Sequence, residues 1–565
     1  MYMFFIRFAA LLAGISFFVS TLLAQNVTLD RSEKRTILRI DGQPFFMCAG
    51  ELHNSTCSDI DYLNSKWDNL KGMNLNTVIA TASWELVEPE EGRFDFSHVD
   101  AIIRGAEQHG MKVALIWFAT FKNPFMTYAP TWVKADNKRF PHAMSPDGQI
   151  LELPSLYDDN IIKADKKAYL ALLSHIKEVD AKGTVIAIQI GNEPGLNSPT
   201  RDCSAPANRA WEADVPTCII DYLAKHRKTL QPDIKAAWEN NGCKKQGNWE
   251  EVFGKSLTAD DGTDPILYLT EHLFTAYGSA RYLEALSSAG KEVLDLPTFT
   301  NATGTVNARG RSMGNGCSVP EFFDIYMAVA PSLDILTPNS YGQNFDEICE
   351  AFSYNSNPLL IPECTMSAVR PFYLLGEWNG LGYSPFGIDD YHVETPAGKM
   401  LADAYALLDN MESMVSANLN SERMRGIFIH TGKPVQEIEM GDYIITFNHK
   451  PTNEIGEKMM RILSGEKANE EFLKHKRQMH PFEAAALIIQ TGKDEFYIAG
   501  GGGINATFRL KENKDGRFCD FDYIYEGTVN EDGKFVKGRL LNGDEQAAFI
   551  RDKQIGIVKV KLYHF

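Results

Sequence analysis

A chain of 565 residues, 44% hydrophobic, 11% aromatic and 23% charged, has the make-up of a globular protein. That composition excludes disorder, a collagen-like repeat and a disulfide-dense miniprotein. The net charge of −18 argues against nucleic acid and anionic membranes as main partners.

Residues 1–25 read as a secretory leader. Arg7 precedes an apolar run from Phe8 to Leu23, and Leu22-Leu23-Ala24-Gln25 offers a small residue for cleavage. The run, broken by Gly14, Ser16, Ser20 and Thr21, falls short of the roughly 20 apolar residues of a membrane span. The expectation is export to the periplasm or medium, with no stable membrane insertion once the leader is cut. All nine cysteines lie beyond it. Cys203 and Cys218 bracket a polar loop that a disulfide can bridge; buried free thiols are the equal alternative. No C-x-x-C or HExxH occurs, so neither a metal nor a cofactor is expected.

From Phe45 the chain alternates short apolar runs with helical patterns. Expected strands are Phe45–Ala49, Thr77–Ala82, Lys112–Phe118, Thr184–Ile190, Thr298–Asn301, Asp334–Asn339, Leu359–Pro362 and Phe372–Glu377. Between them, Ser58 with Asp61 reads as a capping box. His98–His109, Ile161–Ala181, Tyr268–Ala289 and Ala397–Ser416 carry helical spacing, and a loop-rich insertion occupies about 196–265. Near-continuous apolar strands spaced by helices imply a parallel sheet buried on both faces. Eight such units over residues 26–423 predict an α/β fold, a (β/α)8 TIM barrel; an open doubly wound sheet is the alternative. From 424 to 565 strand-like runs separated by turns predict a smaller β-sandwich domain: Tyr443–Phe447, Ala484–Ile489, Phe496–Ala499, Ala506–Leu510, Phe535–Leu541, Ala547–Ile550 and Ile555–Leu562. Gly500–Gly503 reads as a tight turn rather than a phosphate loop, since a strand pattern follows it.

In such a barrel, functional groups sit at the C-terminal ends of the strands. Glu51 and His53 follow the first, Trp84, Glu85 and Glu88 the second, and Lys122 and Asn123 the third. Asn192-Glu193 follows the fourth, Tyr341 the sixth, Glu363 the seventh and Trp378 the eighth. Strands four and seven lie nearly opposite, so Glu193 and Glu363 can face one cavity. Glycosidic cleavage needs such a pair: one carboxylic acid protonates the leaving oxygen, and the other attacks or activates water. Asn192 supplies amide donors for a sugar hydroxyl, and Tyr341 can donate to Glu363. Trp84, Trp117, Trp132, Trp378 and Phe386 are candidates for stacking on a pyranose face, with Trp378 the foremost; core packing is the alternative for each. Glu90 and Glu91 read as a solvated turn.

These motifs resemble clan A of the glycoside hydrolases. Ala49-Gly50-Glu51-Leu52-His53, Leu70-Lys71-Gly72-Met73-Asn74-Leu75-Asn76-Thr77-Val78 and Glu88-Pro89-Glu90-Glu91-Gly92-Arg93-Phe94-Asp95-Phe96 resemble family 35, the β-galactosidases, and also the neighbouring family 42. The resemblance runs from about Phe45 to Phe386. It is nearest to a bacterial branch of family 35 with a β-rich C-terminal domain. It implies an exported bacterial enzyme that removes terminal β-D-galactosyl residues with retention of configuration. It implies Glu193 as acid/base, Glu363 as nucleophile and Asn192 as the contact to the sugar's 2-hydroxyl. Near strand three the family has Gly-Pro-Tyr and Asn-x-Glu where this chain has Trp117-Phe118-Ala119-Thr120-Phe121-Lys122-Asn123. Another clan A β-glycosidase and a non-catalytic glycan-binding barrel are the competing readings.

Overall fold

The computed structural model describes residues 26–198, 200–256, 269–303, 315–449, 482–512, 516–547 and 549–565. The expected leader lies outside them. Eight parallel strands close a barrel in chain order: β1 (Met47–Glu51), β2 (Thr77–Ser83), β3 (Lys112–Phe118), β4 (Val185–Ile190), β5 (Thr298–Thr303), β6 (Ile335–Ser340), β7 (Leu360–Cys364) and β8 (Gly382–Pro385). All residues of β4, β6 and β7 are buried. This matches strands enclosed by side chains within and helices without. A small antiparallel sheet, Val27–Asp30, Ile37–Ile40 and Gln43–Pro44, precedes the barrel.

Helix α1 (Asp159–Val179) starts where the Asp158 carboxylate accepts the Asn160 N–H. Its apolar face, from Ile161 to Ile176, packs inward, and α2 (Leu269–Val293) lies beside it. The expected Ser58 capping box is not formed. Asp59 caps the helix Ile60–Asn64 instead, accepting from the Tyr62 N–H. The described part of the insertion, up to residue 256, is more helical than its composition suggests. It folds into the helices Ala205–Glu212, Thr217–His226, Pro232–Asn240 and Trp249–Phe253, the last opened by a reciprocal Asn248–Glu251 capping box. Cys203 and Cys218 are unbridged, and all nine cysteines are free thiols.

The expected eighth strand is a helix, α3 (Arg370–Trp378), and the true β8 follows it. Residues Arg370 to Gly376 are all buried. A helix buried on every side shows no apolar–polar period, so its run cannot be told from a buried strand. Pro371 in its first turn suits a helix start. Glycine at 376 permits close approach, because a Cβ there would stand 2.7 Å from the Arg425 carbonyl oxygen. Helix α4 (Pro396–Asn410) closes the barrel series.

The C-terminal domain is a sandwich. Its strands are β9 (Met424–His430), β10 (Val435–Met440), β11 (Tyr443–His449), β12 (Glu483–Gly492), β13 (Glu495–Gly501), β14 (Ile504–Leu510), β15 (Cys519–Val529), β16 (Phe535–Leu541) and β17 (Ile555–His564). Six of them form one antiparallel sheet in the order β9-β12-β13-β17-β15-β16, and β10-β11-β14 form the other. The β9-β12-β13 side of the large sheet is mostly buried, whereas β16 at the other edge is largely exposed. Ile427, Ile429, Ala486 and Ile488 enter the sandwich core, while Phe428, Ala485, Leu487 and Ile489 join the barrel's core. The expected strand Ala547–Ile550 is not formed: Gly543–Ala547 is a 3-10 turn, Ala548 lies outside the described residues, and Ile550 makes only an isolated bridge to Ile504. Gly502 and Gly503 take positive φ in the turn between β13 and β14, as the four-glycine run suggested.

Candidate active site

The strand ends bring Glu193 and Glu363 to one buried centre. Behind β4 the chain turns sharply, with Gly191 and Glu193 both in the left-handed region, at φ +65° and +47°. Glutamate pays for that conformation, as residues at functional sites commonly do. The turn is held by the Asn301 side-chain oxygen, which accepts the Glu193 N–H at 2.8 Å. Across the barrel, Asn339 on β6 is the register partner of Glu363 on β7.

A chain of amides joins the two carboxylates. Asn339 Nδ2 donates to Glu193 Oε1 at 2.7 Å and also faces Glu363. Asn301 Nδ2 lies 3.0 Å from Glu363 Oε2, 3.0 Å from Asn339 Oδ1 and 2.8 Å from Asn192 Oδ1. The Tyr341 hydroxyl donates to Glu363 Oε1 at 2.6 Å. Glu363 therefore accepts from a phenol and an amide, whereas one amide reaches the Glu193 carboxyl. Donors favour the ionised form.

Burial, and then the charge of Glu363, push Glu193 up to about 8, against the pull of Lys122 and Asn339. Glu363 is also raised by burial, opposed first by Tyr341 and then by Lys122, Asn339 and Asn301. A third carboxyl, Glu51 at the end of β1, is only 2% exposed. It is raised well above the usual range by burial and by its two glutamate neighbours, with Lys122 opposing. Glu51 Oε2 is wholly buried and has no hydrogen-bond partner among the described residues. The buried carboxylates beside the site differ. Asp165 on α1 accepts from Trp117 Nε1 (2.7 Å), the Thr120 N–H (3.2 Å) and hydroxyl (2.6 Å), and the Tyr282 hydroxyl (2.8 Å). Glu88 accepts from Trp84 Nε1 at 2.9 Å and the Gly92 N–H at 2.7 Å. Asp165 and Glu88 are satisfied by the fold; Glu51 Oε2 is not, among the described residues.

The other expected residues fall in different places. Asn192 is buried, donating to the Lys122 carbonyl at 2.9 Å and accepting from Gln189 at 3.0 Å. Lys122 acts electrostatically on all three glutamates, its ammonium 5.3 Å from the Phe118 ring centre. Asn123 closes a local turn by accepting the Phe125 N–H. Glu85 pairs with Lys134 at 3.4 Å. Trp84 and Trp117 are fully buried and spend their N–H groups on Glu88 and Asp165, so neither offers a face for stacking. Trp378 ends α3, away from the strand C-termini, with the Arg35 guanidinium 4.4 Å over its ring. Phe386 keeps its place beside Glu51 and contacts His53 edge-to-face. Asn301 and Asn339, which hold the pair, were not among the expected binding residues. Their signal was an amide late in two otherwise apolar strands. Among the described residues, no three His, Cys, Asp or Glu side chains form a metal-binding group.

A parallel eight-stranded barrel with one buried glutamate after β4 and another at the end of β7 has the site arrangement of clan A of the glycoside hydrolases. Within that class, the family 42 model, described as beta-galactosidase, matches residues 58–358, more than half of the chain, and the chain belongs to this family. The family shown is thus 42, the neighbour, and the expected placement in a branch of family 35 is not supported. Residues 401–551 match a domain of unknown function, DUF5597. A beta-galactosidase of Xanthomonas manihotis is 29% identical over 160 residues, covering 27% of this chain and 25% of that protein. The chain thus aligns with about a quarter of that relative's length. Among solved structures, a beta-galactosidase from Marinomonas ef1 matches with 12% identity and TM-score 0.43, covering 66% of this chain and 61% of the other. A beta-galactosidase from Bacillus circulans sp. alkalophilus matches with 13% identity and TM-score 0.44, covering 66% and 57%.

Proposed function

We propose that the protein is a retaining glycoside hydrolase that releases terminal β-D-galactosyl residues from an oligo- or polysaccharide. The observation that carries this reading is the buried pair Glu193 and Glu363, unequal in hydrogen bonding and joined through Asn339 and Asn301. Glu193, pushed up to about 8, is protonated at neutral pH and suited to give its proton to the leaving oxygen. Glu363, with two donors, is the better nucleophile. Its oxygen forms a bond to the anomeric carbon as the glycosidic bond breaks and the Glu193 proton passes to the departing oxygen. Water then attacks the anomeric carbon, Glu193 takes its proton, and Glu363 leaves. Asn339 Nδ2 donates to Glu193 Oε1, and Asn301 Nδ2 lies 3.0 Å from both Asn339 Oδ1 and Glu363 Oε2, so two amides bridge the carboxyls. Double displacement needs the two carboxyls about 5–5.5 Å apart and inversion about 6.5–9.5 Å, and the proposed mechanism is the first.

Glu51 supports a sugar as ligand. Its bare Oε2, buried beside the pair, is completed by a substrate hydroxyl, and Lys122 acts on it electrostatically. The substrate is a largely uncharged glycan, and export through the leader at 1–25 belongs to the same proposal. Turnover of a panel of aryl β-glycosides by the wild type, Glu193→Gln and Glu363→Gln tests the reading. Preference for the β-galactoside, lost in both variants, is expected. Preference for another sugar would replace galactose within the same mechanism, and equal activity in all three proteins would overturn the site. Sequencing of the N-terminus of protein recovered outside the cytoplasm tests export; an intact Met1 there refutes cleavage.

A further inference from the structure

Tyr341 makes the shortest polar contact to Glu363, yet it is 52% exposed, so packing alone does not hold it. Its backbone is held from behind. Arg370, 1% exposed at the start of α3, donates from Nη1 to the Ser340 carbonyl at 3.4 Å and from Nη2 to the Gly342 carbonyl at 2.7 Å. It thus ties the residues on both sides of Tyr341. The guanidinium is fixed in turn by Glu483, the first residue of β12. Nε donates to Glu483 Oε2 at 3.0 Å, and Nη2 pairs with Oε1. A planar fork fits a carboxylate bidentately and still has N–H groups left for carbonyls. The sandwich grips the same connection at a second point. Asp346, one residue into the helix Phe345–Phe352, pairs with Lys433 at 3.1 Å and faces His430 of β9 at 3.8 Å.

We propose that the C-terminal sandwich is a positioning device for the active site: Glu483, through Arg370, fixes the β6 exit loop so that Tyr341 donates to Glu363. This gives the domain of unknown function a role in the chemistry, and it rests on the hydrolase reading of the site. Glu483 and Arg370 are positioning residues; neither touches the reacting atoms. Glutamine at 483 keeps the side chain's shape and removes the charge that orients the fork. Tyr341→Phe removes the donor itself.

The readout is the protonation of Glu363, which a merely structural contact would leave alone. The charged and titratable groups facing Glu363 are Glu193 after β4, Glu51 on β1, Lys122 after β3, Tyr341 after β6 and Cys364 beside it. Carbon-13 NMR of glutamate-labelled protein follows the carboxyl signal that Glu363→Gln abolishes. Tyr341→Phe is expected to raise its midpoint by about one pH unit. Glu483→Gln should raise it in the same direction, Glu483→Asp should restore part of the difference, and the Tyr341→Phe/Glu483→Gln double variant should match Tyr341→Phe alone. The acidic limb of kcat/KM on an aryl β-galactoside should move in parallel. A Glu363 midpoint unchanged in Glu483→Gln, or additive shifts in the double variant, overturns the proposal. Midpoint shifts without turnover of any glycoside would overturn the hydrolase reading while leaving the coupling standing.

Discussion

A carboxyl kept protonated by its surroundings makes the fold depend on pH in a calculable way, and Glu193→Gln exposes that dependence. Glu193 is held up to about 8 in the folded protein, against an ordinary value of 4.5, mainly by burial and then by Glu363. Between those values the unfolded chain has released the proton and the folded protein retains it. Its contribution to stability is fully present below about 4.5 and is lost as pH rises through about 8. The slope reaches about 1.4 kcal/mol per pH unit midway and falls off near each value, so from pH 5 to pH 8 the wild type loses roughly 3 to 4 kcal/mol through this one group. Glutamine keeps an oxygen for the Asn339 amide, which lies 2.7 Å from Glu193 Oε1, and cannot ionise. The variant should therefore be inactive yet gain on the wild type steadily as pH rises. Urea unfolding of both proteins at pH 5, 6.5 and 8 measures the difference. Parallel stability curves would refute the buried-acid argument, and with it the assignment of Glu193 as the proton donor.

Three further outcomes follow from the same geometry. The kcat/KM of the wild type on an aryl β-galactoside should fall above about pH 8 as Glu193 ionises, and a profile flat to pH 10 would contradict the pH-dependence expected of its raised carboxyl. Asn301→Ala removes the amide that reaches Glu363, Asn339 and Asn192 and the oxygen that holds the Glu193 N–H; kcat/KM should drop by about 100-fold or more, with the circular dichroism spectrum preserved. Near wild-type kinetics would remove Asn301 from the site. Trp378→Phe should leave kcat and KM unchanged and cost about 1 kcal/mol of stability or less through its Arg35 contact, whereas a raised KM would restore Trp378 as a sugar platform.

The barrel was legible because its strands are nearly continuous apolar runs. Seven of the eight were located to within about two residues at each end. The exception is instructive. The segment from Arg370 to Gly376 lies between the barrel and the large sheet of the sandwich, so every face of it is buried. Periodicity records a boundary between core and solvent, and α3 has no such boundary. The same cause hid β9: Ile427 and Ile429 face one core and Phe428 the other, so the alternation of a half-exposed strand is erased.

The site divides along a similar line. Glu193 and Glu363 were legible because a carboxylate directly after an apolar strand has few structural uses. Asn301 and Asn339 were not, because an amide inside a strand reads as a strand end. Reach decided the aromatic residues. Trp117 and Phe118 are neighbours on β3, and successive side chains of a strand point to opposite faces. Phe118 lies beside Lys122, while Trp117 turns to Asp165 on the surrounding helix. Parity along a strand, once one lumen-facing residue is known, therefore decides which aromatic can meet a substrate. Sequence proximity to a catalytic glutamate does not. Glu51 passes a stricter test, that of unfilled valence: unlike Asp165 and Glu88, it keeps a buried oxygen, Oε2, with no donor among the described residues. A carboxyl with its bonds filled by the protein is explained by the protein. On the proposed hydrolase reading, the Glu51 oxygen left bare at the meeting point of two other carboxyls and a lysine is where a sugar hydroxyl donates.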